Sequence, residues 1–165
     1  MRLRLAQESD AEAIRAIYNH EVINGVRTFD MVPRGASEQA EWMVRHQGSH
    51  PALVAVVDEG ESEVVVGFGA LSPYRDRPAY ATTVEDSVYI DHRYRGQGIG
   101  RALLEELLEL ATNHGFHTVI ARIVADNEAS VLLHERCGFF LVGVEKEVGR
   151  KHGRWLDLIE LQRML

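Results

Sequence analysis

Gly96, Gly98 and Gly100 constrain this chain more than any other feature, because of what stands on either side of them. Ahead of them runs Ala81 to Ile90, a segment rich in β-branched residues. As a strand it places Val84, Asp86, Val88 and Ile90 on one face and Glu85, Ser87 and Tyr89 on the other. Behind them Ile99, Leu103, Leu107 and Leu110 recur at helical spacing. The glycines therefore form a strand-to-helix connection. Glycine tolerates positive φ and lets a ligand come close to the backbone. The first N–H groups of a helix have no internal partner and lie at the positive end of its dipole. Such a loop suits a diphosphate, and Arg93, Arg95 and Arg101 add positive charge to it. The same glycines are also compatible with a tight turn that holds nothing. Two nucleotide loops are excluded by spacing. A P-loop needs Gly-Lys-Ser/Thr, and Gly100 is followed by Arg101-Ala102. A dinucleotide loop needs a wider last interval soon after the first strand, and several strands precede this one.

The rest of the pattern supplies a scaffold. Arg2-Leu3-Arg4-Leu5-Ala6 alternates as a half-buried strand does. Ser9-Asp10-Ala11-Glu12 has capping-box spacing, which predicts a helix with Ile14, Ile17, Tyr18 and Val22 on one face, broken at Asn24-Gly25. Ser37 is the expected cap of a second helix carrying Trp42 and Met43. Ala52 to Val57 and Val64 to Leu71 flank the turn signal Asp58-Glu59-Gly60 and read as a hairpin. Gly67 and Gly69 in its second arm predict a bulge or a close backbone approach. After the glycine loop the helix stops at His114-Gly115. His117 to Val124 is a strand, a short helix runs from Asp126-Asn127 to Cys137-Gly138, and Phe139 to Glu147 and Trp155 to Leu161 close as strands. The order β-α-α-β-β-β-α-β-α-β-β predicts an α/β domain of the α+β type over 1–165, with helices on the faces of a partly antiparallel sheet.

Charge and composition exclude several classes. The formal net charge of −7 argues against a broad nucleic-acid surface, which needs clustered Lys and Arg. No apolar run is long enough to span a bilayer. Met1 to Asp10 alternates charged and apolar residues and does not read as a signal peptide. Cys137 is the single cysteine, which suits a reducing cytoplasm. The eight histidines are scattered and no Cys/His cluster has zinc spacing, so no metal is expected.

Arg95-Gly96-Gln97-Gly98-Ile99-Gly100 resembles the acyl-CoA loop of the GNAT superfamily of N-acetyltransferases, Gln/Arg-x-x-Gly-x-Gly/Ala. Asn127 and Ser130, followed by Gly138-Phe139, resemble its second signature. Ala16-Ile17-Tyr18-Asn19, Thr83 to Ile90, Leu133-His134-Glu135-Arg136 and Gly149 to Asp157 are together similar to the phosphinothricin and methionine sulfoximine acetyltransferase group. The resemblance spans essentially the whole chain. It implies a mixed, mostly antiparallel sheet of about seven strands flanked by four helices. It also implies that acetyl-CoA lies between the strand ending at Ile90 and the strand beginning near His117. Val88, Tyr89 and Ile90 would pair with the pantetheine arm through their backbone. Amides from Arg95 through Gly96, Gln97, Gly98, Ile99 and Gly100 to Arg101 would hold the diphosphate. Asn127 would contact the pantetheine, with Ser130 and His134 nearby.

Acetyl transfer from a thioester requires a deprotonated amine, a stabilised carbonyl oxygen and a proton for the leaving thiolate. Glu85 is the candidate base, acting through a water, and it shares a strand face with Tyr89. A surface carboxylate or an arginine partner is the other reading of Glu85. The resemblance implies a backbone N–H near Val88 or Tyr89 as oxyanion donor. His134 is the candidate acid, with a pKa in the useful range; a histidine that only packs against CoA is the alternative. Cys137, three residues further along the same helix, reads as a small buried hydrophobe rather than a nucleophile.

A zwitterionic acceptor needs a cation. Arg75 is the first candidate and Arg77 the second, with a solvated loop arginine as the competing reading. Phe29 is read either as an apolar wall beside the substrate or as a core residue. Arg150 to Arg154 is a basic turn, a solvated tip in the plain reading. The resemblance places it near the active site of a second subunit in a homodimer. Other acceptors, a protein N-terminus or a polyamine, and a non-catalytic acyl-CoA sensor are the competing functions. A sensor needs no base, so Glu85→Gln separates it from an enzyme.

Overall fold

A computed structural model describes residues 1–60 and 62–165. Seven strands form one sheet: β1 (Arg2–Leu5), β2 (Ala52–Glu59), β3 (Ser62–Pro73), β4 (Thr83–Ile90), β5 (Thr118–Val124), β6 (Phe140–Lys151) and β7 (Arg154–Met164). Their spatial order is β1-β2-β3-β4-β5-β7-β6. Every neighbouring pair is antiparallel except β4 and β5, which are parallel. Helices α1 (Ala11–Asn24), α2 (Ala36–Arg45), α3 (Ile99–Asn113) and α4 (Glu128–Arg136) complete the element order expected from the sequence.

The sheet has an apolar face on each side, so helices cover both. Leu103, Leu104 and Leu107 of α3 pack with Leu53, Ala55, Val84, Val119, Ala121 and Leu161. Ile14, Ile17, Tyr18 and Val22 of α1 and Trp42 and Met43 of α2 pack with Val54, Phe68 and Ala70 on the opposite face. Strand alternation decides which residues go where: Val84 and Val88 join the α3 side, Tyr89 the α1 side.

The helix starts differ from those expected. Asp10, not Ser9, is the organising residue before α1. Its carboxylate accepts from the Gln7 N–H at 2.7 Å and from Arg4 at 2.7 and 2.9 Å. Arg4 draws this carboxylate toward β1 and moves the cap upstream of the Ser9–Glu12 pattern. Helix α2 starts at Ala36 on Gly35, whose N–H donates to Glu38 at 2.7 Å, so Ser37 lies inside the first turn.

Gly67 and Gly69 do what the sequence suggested. Ala55 pairs with Gly67 but Val56 with Val65, so the β2–β3 ladder shifts register there. A Cβ on Gly67 would lie 2.7 Å from Ile90 Cδ1, and one on Gly69 2.8 Å from Leu107 Cδ1. These glycines let β4 and α3 close on the sheet.

Candidate functional site

Strands β4 and β5 pair only at Thr83↔Thr118, Val84↔Val119 and Glu85↔Ile120. Beyond Glu85 they part, and a cleft of about 620 Å³ opens between Asp86–Ile90 on one side and 121–124 on the other. The Asp91 N–H donates to Val66 O at 2.9 Å, toward β3. By strand alternation the backbone of Tyr89 faces β3 as well, while the amides of Val88 and Ile90 face the cleft. The sequence reading left Val88 or Tyr89 open as an amide donor; this geometry favours Val88. Tyr89 turns its ring away, edge-on to Tyr18 at 5.2 Å and stacked on Phe68 at 5.3 Å.

The glycine loop sits at the end of this cleft. Gly96 (φ +76°) and Gly98 (φ +80°) occupy the left-handed region, and a Cβ at either would meet nothing within 4 Å. The space above the backbone is thus open to a ligand. Gly98 is the N-cap of α3, and Ala102 N–H donates to its carbonyl at 3.2 Å. The amides of Ile99, Gly100 and Arg101 precede that first helical bond and lack intrahelical partners. Arg95, Gly96, Gly98, Ile99, Gly100 and Arg101 line the cleft; Gln97 is exposed and does not. The arginines of the loop are less free than composition suggested. Arg93 is bonded to Asp91, Arg101 to Glu105 and Arg95 to Glu21.

Glu21 was not singled out from sequence. It is 3% exposed, lines the cleft, and holds Arg27 at 3.0 Å as well as Arg95. Burial opposes its ionisation, but the two guanidinium groups outweigh that and lower its pKa. Only the packing of α1 against the loop brings these three together.

Helix α4 presents Asn127, Ser130 and His134 to the cleft. His134 is 3% exposed. Its Nδ1 lies 2.7 Å from Ser130 O and its Nε2 3.0 Å from Asp86 Oδ2. A carbonyl and a carboxylate both require a proton from the imidazole. Burial alone would lower the His134 pKa, but Asp86 and the Ser130 carbonyl outweigh it and raise it. Both protons are therefore committed to these two partners inside the protein. Asp86 was read from sequence only as a strand position, yet it is the partner that fixes His134. Its Oδ1 is buried without a partner among the described residues.

Glu85 sits at the fork of β4 and β5 and lines the cleft. Burial raises its pKa, opposed by Arg122 and reinforced by Asp86 and Glu160. The arginine partner that sequence reading allowed for Glu85 thus exists as a neighbouring field, from Arg122.

Arg75 and Arg77, predicted for the substrate carboxylate, lie on the loop after β3. Arg75 is exposed, its guanidinium over the Tyr74 ring at 4.7 Å and the Tyr80 ring at 5.6 Å. Arg77 is exposed too, and neither lines the cleft. The Tyr74–Tyr80 edge contact folds this loop back on itself, and Glu160 and Arg122, which act on Glu85, act on Tyr74 as well. Phe29, 38% exposed, is neither core nor cleft wall. A Cβ on Gly149 would fall 2.5 Å from its ring, so Phe29 rests on the β6–β7 hairpin. The basic turn of that hairpin docks on its own chain. His152 (φ +49°) and Gly153 (φ +75°) form its two-residue loop, and Lys151 is 2% exposed. Lys151 Nζ donates to Thr28 O at 2.9 Å. Cys137 is buried, and burial raises its thiol pKa, as expected of a packing residue.

Residues 13–139 match the acetyltransferase (GNAT) family. The chain is 38% identical to a phosphinothricin N-acetyltransferase of Streptomyces coelicolor, over 100% of this chain and 96% of that protein. It is 37% identical to an L-methionine sulfoximine/L-methionine sulfone acetyltransferase of Pseudomonas aeruginosa, over 97% of this chain and 92% of that one. A phosphinothricin acetyltransferase from Sinorhizobium meliloti, solved in complex with AcCoA, superposes with a TM-score of 0.94 at 40% identity, covering 99% of this chain and 88% of that one.

Proposed function

This chain belongs to the acetyltransferase (GNAT) family, and on that premise we propose that its acceptor is the amine of a small amino-acid-like molecule of the phosphinothricin, methionine sulfoximine or methionine sulfone kind. The protein is an acetyl-CoA-dependent N-acetyltransferase. The observation that carries the finer reading is Glu85, a cleft carboxylate at the strand fork whose pKa is raised by burial toward that of a useful base.

Acetyl-CoA, when bound, supplies the thioester. The open glycine loop and the outward amides of Val88 and Ile90 fit its diphosphate and pantetheine. Glu85 takes a proton from the acceptor ammonium through a water, freeing the lone pair that attacks the carbonyl carbon. The Val88 N–H donates to the carbonyl oxygen as negative charge develops there. Asn127 and Ser130 flank the arm on the α4 side. As the C–N bond forms and the C–S bond breaks, the proton shed by the new amide nitrogen would pass to the CoA thiolate, and His134, whose own protons stay with Asp86 and Ser130, would lend positive charge to that end of the cleft.

A homodimer fits the β6 edge. Phe140, Val142, Val144 and Val148 are each at least 43% exposed there, an apolar stretch on an edge strand that a second copy would cover. Among the described residues no helix is long and apolar enough to cross a membrane; the cytoplasm suits the single buried thiol. A polyamine acceptor has one observation in its favour, the Glu145 and Glu160 carboxylates near Arg122.

The test is a screen of L-phosphinothricin, L-methionine sulfoximine, L-methionine sulfone, unmodified amino acids and spermidine with acetyl-CoA, read as free thiol release. Saturable turnover of at least one of the first three is expected. Background release with all of them defeats the reading.

A further inference from the structure

The structure assigns Glu21 as a positioning residue for the acetyl donor: by gripping Arg95 it ties the glycine loop to α1 and fixes the amides on which the diphosphate would rest. The inference rests on the reading above that places the diphosphate on this loop. From Arg95 to Gly98 none of the N–H groups has a main-chain acceptor among the described residues. A loop whose amides are free for a ligand has given up the bonds that would hold it still. The Arg95 side chain, anchored on Glu21, supplies such a bond from outside the loop.

The anchor itself is rigid. Glu21 lies in the last turn of α1 and is 3% exposed, a burial that a glutamate tolerates only when paired. Its two oxygens are divided between two guanidinium groups. Oε2 accepts from Arg27 Nη1 at 3.0 Å, and Oε1 accepts from Arg95 Nη2. Gly25 makes room for this carboxylate: a Cβ there would lie 2.6 Å from Oε2, although its φ of −124° is open to any residue. Lys151, buried in the β6–β7 hairpin, donates from Nζ to the Glu21 carbonyl at 3.4 Å and to Thr28 O at 2.9 Å. The loop is thus moored, through one side chain, to a point that helix, hairpin and Arg27 all hold.

Two effects of opposite sign follow from losing the Glu21 charge. The cluster of Arg27, Arg95 and Glu21 carries one more positive charge than negative. Neutralising the carboxylate makes it more positive, and charge alone would then draw an anionic donor more tightly. Against this, an unmoored loop has to be ordered each time the donor binds, which costs affinity. The Arg27 and Arg95 side chains are 41% and 37% exposed, so water and salt screen the extra charge. The ordering cost is not screened, and it decides the sign.

The test compares wild type, Glu21→Gln, Arg95→Ala and the double variant, using acetyl-CoA and S-acetylpantetheine, a donor that keeps the thioester and lacks the diphosphate. Glu21→Gln is expected to raise KM for acetyl-CoA, and the dissociation constant of CoA by calorimetry, about 3- to 10-fold, the scale of ordering one or two loose side chains. The loss should be confined to the donor that carries the diphosphate, which a general loosening of the fold would not produce. Arg95→Ala should show the same selective loss. The double variant should lose no more than the larger single one, because both remove one mooring. Should Glu21→Gln fail to fold, Arg95→Ala decides, since it leaves the buried carboxylate with Arg27. Unchanged or tighter CoA binding in Glu21→Gln overturns the assignment, as do equal losses with both donors or additive losses in the double variant. A wild type that uses both donors with equal kcat/KM overturns the placement of the diphosphate first, and the assignment with it.

Discussion

The two walls of the cleft present different kinds of group. On the β4 side and in the glycine loop they belong to the main chain: the outward amides of Val88 and Ile90, and the first-turn amides of α3 over Gly96 and Gly98. On the β5 and α4 side they are side chains: Arg122, Asn127 and His134. Main-chain groups suit a ligand part common to every turnover, because their geometry is fixed by strand and helix. Side chains suit the part that distinguishes one acceptor from another, because one substitution changes them. Glu85 stands where the walls meet, and the chemistry is proposed there.

The largest effect that tests this division is expected at the meeting point. Glu85→Gln should lower kcat about 10²- to 10⁴-fold, the usual scale of general base catalysis, while acetyl-CoA affinity by calorimetry is unchanged. In wild type the rate should rise with pH as the Glu85 carboxyl, whose pKa is raised, ionises. In the variant that limb should reflect only the acceptor ammonium. Wild-type turnover in Glu85→Gln would remove the base from the fork.

A middle-sized effect is expected on the side-chain wall. Asp86→Asn should destabilise the fold by about 1–3 kcal/mol in denaturant melts, the scale of a buried charged hydrogen bond. The figure of about 3–5 kcal/mol for a broken buried ion pair is not reached, because His134 can lose its proton rather than remain a bare ion. The folded-state pKa of His134 is raised above the ordinary 6.5. Its contribution is therefore complete below that value and fades as pH rises through the higher, folded value. The gap between wild type and variant should be widest just below pH 6.5 and narrow above it; a gap that widens with pH would contradict a cationic His134.

The smallest effect is expected on the main-chain wall. Gly98→Val forces a β-branched residue to φ +80°, at a cost of about 1–2 kcal/mol. Acetyl-CoA should bind about 5- to 30-fold more weakly. A wild-type dissociation constant would mean the diphosphate does not rest on this loop.

The sequence conveyed the first wall better than the second. Glycines mark main-chain sites, because few other residues permit positive φ, and Gly96 and Gly98 stand where they were expected. Asn127, Ser130 and His134 were also legible, being one helical face at regular spacing. Arg75 and Arg77 were named from loop position alone, which says nothing about the Tyr74–Tyr80 contact or the seat of Arg75 over those two rings. Glu21, Asp86 and Arg122 were missed as site residues. Each acts through a partner distant in sequence: Glu21 with Arg95, Asp86 with His134, Arg122 with Glu85 and Glu145.

By itself the sequence determined the order of strands and helices, the faces of α1 and α3, and the glycine connection that opens α3. Those follow from local rules, periodicity and φ, which act within a few residues. Only the tertiary structure decided that β4 and β5 part at Glu85, that His134 gives both protons to its own chain, and that Arg122 of β5 meets Glu145 of β6. Burial and charge pairing set those features, and both depend on which distant segments the folded sheet places side by side.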